Sequence, residues 1–263
     1  MALFRNNFIP NQRVPNSWNK GNAVFWALVL LMAWQFWPSD LAPRPLDVLG
    51  AFSNLWFNEG LGEQLIISYS VQLKAMAFAT VISLLLSYSA TIPFIRPLVI
   101  FISTWRFVSL GPLVIFITLL ITADGHELKV LLLFFGIAVF YITSMVQVVL
   151  DIPTEELEHA RTLKMNEWHT VWEVAVIGKL DAALEMLRQN AAMGWMMLTM
   201  VEGLVRSEGG IGTLMLNQLK HFHLAEVAAI ITILFTVGFV QDLVLRLIRK
   251  VFLPHADLAK ERR

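Results

Sequence analysis

Cysteine is absent from the 263 residues, which removes disulfides, thiolate metal sites and cysteine nucleophiles together. Charge is scarce: 15% of the residues are Asp, Glu, Lys or Arg, against about a quarter in an ordinary soluble domain. The charges cancel to a net of zero, so no basic surface points to nucleic acid as a partner. The six histidines are scattered and form no HExxH-type ligand spacing. A nucleotide-binding loop is missing too. The one glycine-rich turn, Gly209-Gly210-Ile211-Gly212, lacks the Lys-Ser/Thr that would follow in a phosphate loop. No nucleophile or acid–base pair shares a recognisable pocket. The chain is therefore not expected to be an enzyme alone, nor to bind a cofactor or metal.

What the chain does contain is apolar sequence. Hydrophobic residues make up 57% of it and the mean hydropathy is +0.63, the balance of a membrane protein. A helix needs about 20 apolar residues to cross a bilayer. Uncharged or nearly uncharged runs begin after Lys20, with AVFWALVLLMAWQFW and interfacial Trp34 and Trp37. They recur over 65–87 (one charge, Lys74), 98–121 (interrupted by Arg106 and Gly111-Pro112), 130–150 and 225–247. A further run, 182–204, carries Glu185, Arg188 and Glu202 and is the most polar. The expectation is an all-α polytopic protein of about six transmembrane helices. Residues 1–20 form an N-terminal tail with a retained signal anchor behind it, 21–250 one membrane domain, and 251–263 a basic tail. Between the first two spans, Leu46, Leu49, Phe52 and Trp56 fall on one side of an interfacial helix.

Orientation follows from the cations near span ends. With the N-terminus inside, thirteen Lys and Arg fall in inside segments and four (Arg44, Lys129, Arg206, Lys220) outside. Both termini and the segment 151–180 then face the cytoplasm, and the 43–57 helix faces outward.

That segment, DIPTEELEHARTLKMNEWHTVWEVAVIGKL, is the polar interruption of an otherwise apolar chain. It reads as two short helices. Thr154 is placed to N-cap the first, with Glu155 and Glu156 in the opening turn, where acids suit the helix dipole. Leu157, Ala160 and Leu163 share one face, opposite Glu158, His159, Arg161 and Thr162. Asn166 is placed to cap the second helix, on which Trp168, Val171, Trp172 and Ala175 make a stripe. An amphipathic helix pair between membrane spans calls for a partner outside the bilayer, although charge alone is equally compatible with a solvated loop.

Glu158-His159-Ala160-Arg161-Thr162-Leu163, followed by Trp168 and the 171–177 helix, resembles the EAA loop of binding-protein-dependent ABC importer permeases. The order of other elements is similar to the nitrate/sulfonate/taurine branch. Pro43-Arg44-Pro45 leads the outer helix, Lys74 sits in the second span, an Arg-x5-Pro-Leu element runs over 106–113, and Glu202 precedes Gly209-Gly210-Ile211-Gly212. The chain departs from the family pattern at Lys164, where the loop has Gly, and at Val176-Ile177, where it has Leu-Pro. Such a loop fits either pairing with a second, non-identical permease or a divergent homodimer.

The resemblance implies a transmembrane permease of the bacterial inner membrane. A dimer of separate ATP-binding subunits would hold ATP and Mg, and a second permease subunit and an extracytoplasmic solute-binding protein would complete the complex. It implies that Glu158, Ala160, Arg161, Thr162, Leu163 and Lys164 couple to the ATPase, and that the solute is a small anion. Lys74, Arg106 and Glu202 are the pathway candidates. Each has a plainer reading. Lys74 can snorkel to an interface, and Arg106 at mid-membrane, at about 2.5–3.5 kcal/mol on insertion scales, needs an internal partner such as Glu202. A secondary transporter, or a non-transporting anchor or regulatory subunit, are the alternatives.

Overall fold

A computed structural model describes residues 16–36, 43–121 and 124–253. The tails 1–15 and 254–263 and the interfacial Trp37 lie outside the described residues. Helices account for nearly all of the rest, and no strand occurs among the described residues. In order they are α1 (Asn16–Gln35), α2 (Pro45–Phe57), α3 (Leu61–Ser89), α4 (Arg96–Ser103), a 3-10 turn (Thr104–Phe107), α5 (Leu110–Leu120) and α6 (Gly125–Leu150). They continue with α7 (Thr154–Thr162), α8 (Glu167–Thr170), a π-helical turn (Val171–Ile177), α9 (Leu180–Leu204), α10 (Ile211–Lys220) and α11 (Leu224–Phe252).

Three helices, α3, α6 and α11, are long and apolar enough to cross a membrane, and α4 with α5 makes a fourth if that bent pair counts as one span. The run over 98–121, expected as one span interrupted by Arg106 and Gly111-Pro112, is two helices bent by 116° at a short break. The cause lies in the backbone. Pro112 has no N–H to give to the carbonyl of Val108, and its ring would clash with that carbonyl in a helix running through both. The chain leaves helix at Val108 and Ser109, both extended, and restarts at Leu110 with Pro112 in the first turn, where no N–H is needed. The apolar part of α1, Gly21–Gln35, is shorter than a full span. Helix α9 has 25 residues but is diluted by Glu185, Arg188, Gln189, Asn190 and Glu202.

Helix α6 is the most buried of the three and forms the centre, packed by α3 and α9. Pairing of Lys74 with His126 and of Ser83 with Ala138 shows that α3 runs parallel to it. Tyr141 bonded to Ala183 starts α9 at the other end, so α9 runs antiparallel. Close approach is set by small residues. Ala75, Ala79, Ser83 and Ser87 recur every fourth position of α3, all fully buried, which lets backbones approach as in membrane helix pairs. Gly194 on α9 sits where a Cβ would collide with Gln72 of α3 and come within 3.0 Å of Ile137 of α6.

The surface is the reverse of a soluble protein's. Phe235, Phe239, Val244 and Val251 of α11 and Phe78, Val81 and Leu85 of α3 all face outward, the contiguous apolar exterior that lipid or a partner must cover. Helix α2 is apolar on two sides. Val48, Ala51 and Leu55 are buried in a cluster with Ile230 and Ile233 of α11. Leu46, Leu49, Phe52 and Trp56, the side expected to meet an interface, are exposed.

The glycine contact generates a test. Gly194→Val should destabilise the fold by about 1–3 kcal/mol through overpacking, read as a lowered unfolding temperature of the purified protein in detergent. Gly50→Ala, inside α2 where a Cβ meets nothing within 4 Å, should not lower that temperature and should raise it slightly through helix propensity.

Candidate functional site

The polar segment joins the central helix α6 to α9. Pro153, not Thr154, occupies the N-cap of α7. Thr154 is its first helical residue, because Pro153 (φ −60°, ψ 138°) already supplies the extended backbone that precedes a helix. Proline offers no side-chain acceptor; the Glu156 N–H donates instead to the Pro153 carbonyl at 3.1 Å, and Glu155 and Glu156 place negative charge in the first turn. Asn166 does hold the N-cap position of α8, with extended backbone, but its side chain makes no capping hydrogen bond.

Helix α7 ends in a left-handed turn. The N–H of Lys164 donates to the Arg161 carbonyl at 2.9 Å and that of Met165 to the Ala160 carbonyl at 3.3 Å. This paired pattern closes a helix through a left-handed residue, usually Gly. Here that residue is Lys164, with φ 57°. The bend that a glycine makes at no steric cost is made by a lysine at some cost. Ion pairs brace the segment: Glu156 with Lys179 at 3.0 Å and Arg161 with Glu167 at 3.2 Å.

Ala160 is buried, whereas Glu158, Arg161, Thr162, Leu163 and Lys164 are exposed. Leu163 therefore leaves the face it was expected to share with Ala160. The expected Trp168, Val171, Trp172 and Ala175 stripe is also split, since Ala175 is buried while both tryptophans point outward. The reason is the π-turn, whose i→i+5 bonding, such as Gly178 N–H to the Glu173 carbonyl at 2.9 Å, rotates side chains out of the 3.6-residue register. Leu163, Trp168 and Trp172 are 59%, 70% and 57% exposed. With Ile177 and Leu180 they are the exposed large apolar side chains of a segment rich in charge.

A second constellation is buried. Glu202, near the end of α9, accepts from Ser68 Oγ at 2.6 Å and from the Gly212 N–H at 2.8 Å. Ser68 Oγ in turn accepts from the Ile211 N–H at 2.8 Å, and Gln64 Oε1 from the Gly210 N–H at 2.5 Å. Lys129 Nζ donates to the Gly209 carbonyl at 2.7 Å and interacts electrostatically with Glu202 and Glu208. Side chains of α3, α6 and α9 thus hold the 209–212 turn and the N-terminus of α10, supplying the acceptors that its first N–H groups lack within the helix. Gly209 and Gly210 have φ 69° and 104°, and a Cβ on Gly212 would press on the Thr199 backbone. The glycines are required by this geometry, not by a phosphate.

Lys129 and Ser68 were not singled out from sequence. The apolar run begins only at 130 and leaves Lys129 outside it, but α6 begins at Gly125, capped by Asp124, which accepts from the Glu127 N–H. Lys129 then shares a face with Leu132, Leu133, Gly136 and Ile137, all buried; extending the helical period backwards into the turn would have found it.

The three pathway candidates have different neighbours. Lys74 Nζ lies 2.9 Å from His126 Nε2, at a cleft of about 490 Å³ walled by Phe78, Ile82, Leu131 and Phe134. Arg106 is exposed in the 3-10 turn, its guanidinium 5.0 Å from the Phe107 ring centroid. The expected pairing of Arg106 with Glu202 is not formed, because the break at Val108 removes Arg106 from the packed interior while Glu202 is engaged by Ser68 and Gly212. The charges that made 182–204 uncertain are neutralised across α9 and α11. Arg249 bonds Asp181 at 2.6 and 2.7 Å and Glu185 at 2.5 Å, Arg188 bonds Glu185 at 2.7 Å and also Asp242, and Arg246 bonds Asp242 at 2.8 Å. No group of three or more His, Asp or Glu that could hold a metal occurs among the described residues.

No protein-family model matches the chain, and no curated protein matches it.

Two variants test these assignments. Glu202→Ala leaves the Ser68 and Gly212 donors without their acceptor, while Lys129 keeps the Gly209 carbonyl. It should cost about 1–3 kcal/mol in unfolding free energy, with Glu202→Gln costing less because an acceptor remains. Lys164→Gly should stabilise the protein by about 1 kcal/mol by relieving the left-handed lysine, seen as a raised unfolding temperature.

Proposed function

We propose that this chain is the permease subunit of an ATP-driven importer, and that the segment from Thr154 to Ile177 is where a separate ATP-binding subunit docks. The observation that carries this reading is the exposed Leu163, Trp168 and Trp172 set on a segment braced by its own ion pairs and continuous with α6 and α9. Exposed tryptophan at the edge of a charged surface suits burial in a partner's groove. Because α7 connects directly to the central helix, a force applied there reaches the packed interior without crossing a flexible linker.

On this reading α1, α3, the α4–α5 pair, α6, α9 and α11 provide six crossings, with α2 lying at the outer interface and both termini and the 151–180 segment in the cytoplasm. The antiparallel run of α9 against α6 and of α11 against α9 supports alternation across a membrane. The neutralised Asp181, Glu185, Arg188, Asp242 and Arg249 network supports α9 as a crossing despite its charges, since charges in a membrane segment need internal partners. A second permease subunit covers part of the apolar exterior, and an extracytoplasmic solute-binding protein delivers a small anion of the nitrate, sulfonate or taurine type.

Among the pathway candidates, Lys74 is favoured. It stands at an open cleft with His126, whereas Glu202 is committed to the 209–212 turn and Arg106 lies on the outer surface. A secondary transporter would require matched broken helices around a midplane site; the α4–α5 break has no counterpart among the described residues.

Reconstitution tests the coupling role. Arg161→Glu sets two acids side by side in place of the pair with Glu167, and Leu163→Asp puts a charge on the apolar set. Each should lower solute-stimulated ATP hydrolysis by tenfold or more while leaving the unfolding temperature of the membrane helices within a degree or so of the parent, as surface substitutions do. Wild-type coupling in both variants would contradict the proposal.

A further inference from the structure

Beneath the 151–180 segment lies a cleft of about 260 Å³, bounded by the turn after α3, the end of α6, α7 and the π-turn. Three charged residues line it, Arg96, Arg161 and Glu167, so cations outnumber acids. Arg96 is anchored through Nε to the Ala90 carbonyl at 3.1 Å, which fixes the guanidinium plane while its two terminal amino groups remain to donate elsewhere. Arg161 directs Nε and Nη2 at Glu167, at 3.2 and 3.5 Å. That pair is largely solvent-exposed, a class worth little to stability, so it offers weak competition to a better acceptor. Thr170 also lines the cleft. It is 3% exposed, and its hydroxyl oxygen has no hydrogen-bond partner, unusual for a buried polar group. Val149, Leu157 and Ala175 make up apolar wall, which strengthens charge-assisted bonds made against it.

We propose that this cleft binds a tetrahedral oxyanion of the phosphate or sulfate class between Arg96 and Arg161, with the Thr170 hydroxyl as a further donor. Guanidinium groups present paired N–H donors matched to such oxygens, and the volume holds the anion with several waters. The anion is either free in solution or the phosphate of a lipid headgroup. Bound, it joins the turn after α3 to α7 by charge-assisted bonds and stiffens the 151–180 segment against the membrane helices. Arg161 belongs to this cleft and to the proposed docking segment alike, but anion binding to the isolated chain needs no ATPase, so the two readings fail separately.

Thermal unfolding of the purified full-length chain tests this directly. In uncharged detergent, inorganic phosphate should raise the unfolding temperature saturably, above the effect of chloride at equal ionic strength. In nanodiscs, phosphatidic acid in phosphatidylcholine should do so relative to phosphatidylcholine alone if the source is lipid. Protection by free phosphate identifies a soluble anion, and protection by phosphatidic acid alone a headgroup; either supports the site. Arg96→Gln and Arg161→Gln should each weaken the effect tenfold or more in ligand concentration. Thr170→Val should weaken it a fewfold, and Glu167→Gln should strengthen it by removing the opposing carboxylate. Arg96→Lys, which keeps the charge, should retain part of the response and guards against a folding defect in Arg96→Gln. Absence of protection by either source, or equal protection in the Arg96→Gln and Arg161→Gln proteins, would overturn the proposal.

Discussion

In an apolar surround no hydrophobic effect drives one apolar helix onto another, so the arrangement of these helices depends on close packing and on polar groups that find partners only in the interior. Glu202 is the centre of that constraint. A carboxylate buried against α3 must be answered by donors, and the donors come from Ser68 and the backbone of Gly212. Meeting them fixes the end of α9, the register of α3 and the start of α10 together. Lys129 and Gln64 extend the same logic to α6 and the glycine turn. The small residues of α3 then close the remaining distance. At the opposite end of α9, the arginine and carboxylate network with α11 does for that end what Glu202 does here. Helix α9, the most polar of the long helices, is therefore the one that determines where the others stand.

This casts the 151–180 segment in mechanical terms. It joins the two helices whose positions are most constrained, α6 and α9, and its buried Ala160, Thr170 and Ala175 seat it against the helices. The strain at Lys164 sits at the joint between α7 and α8. A left-handed lysine persists only where the surrounding structure requires it, and the requirement here is the turn that exposes Leu163 and Trp168 while burying Ala160. Under the proposed function, that exposed set receives the motion of an ATPase and the constrained helices carry it inward.

Much of this was legible in the sequence because lipid leaves a strong mark. The apolar runs gave the helices at 65–87, 130–150 and 225–247, and the turn chemistry of Gly209–Gly212 marked a tight bend. Periodicity failed where the backbone departed from the α-helix. Trp168 and Trp172 were assigned to one stripe with Ala175 on a 3.6-residue period that the π-turn does not follow. The 98–121 run read as one span because hydropathy does not register a bend, although Gly111-Pro112 marked its neighbourhood. Lys129 was missed because a charge beside a polar turn looks like part of the turn, when it begins the buried face of α6. The pairing of Glu202 with Ser68, 134 residues apart, has no local signature at all. Residue type signals that a buried carboxylate needs a partner; only the fold names it.

The central claim is that a protein surface, and not lipid or solvent, covers Leu163 and Trp168. Site-specific photocrosslinking from each of these positions, in membranes containing the native complex and followed by mass spectrometry, addresses it most directly. The expected result is a crosslink from each position to an ATP-hydrolysing subunit. Crosslinks to lipid alone, or to this chain's own helices, would contradict it.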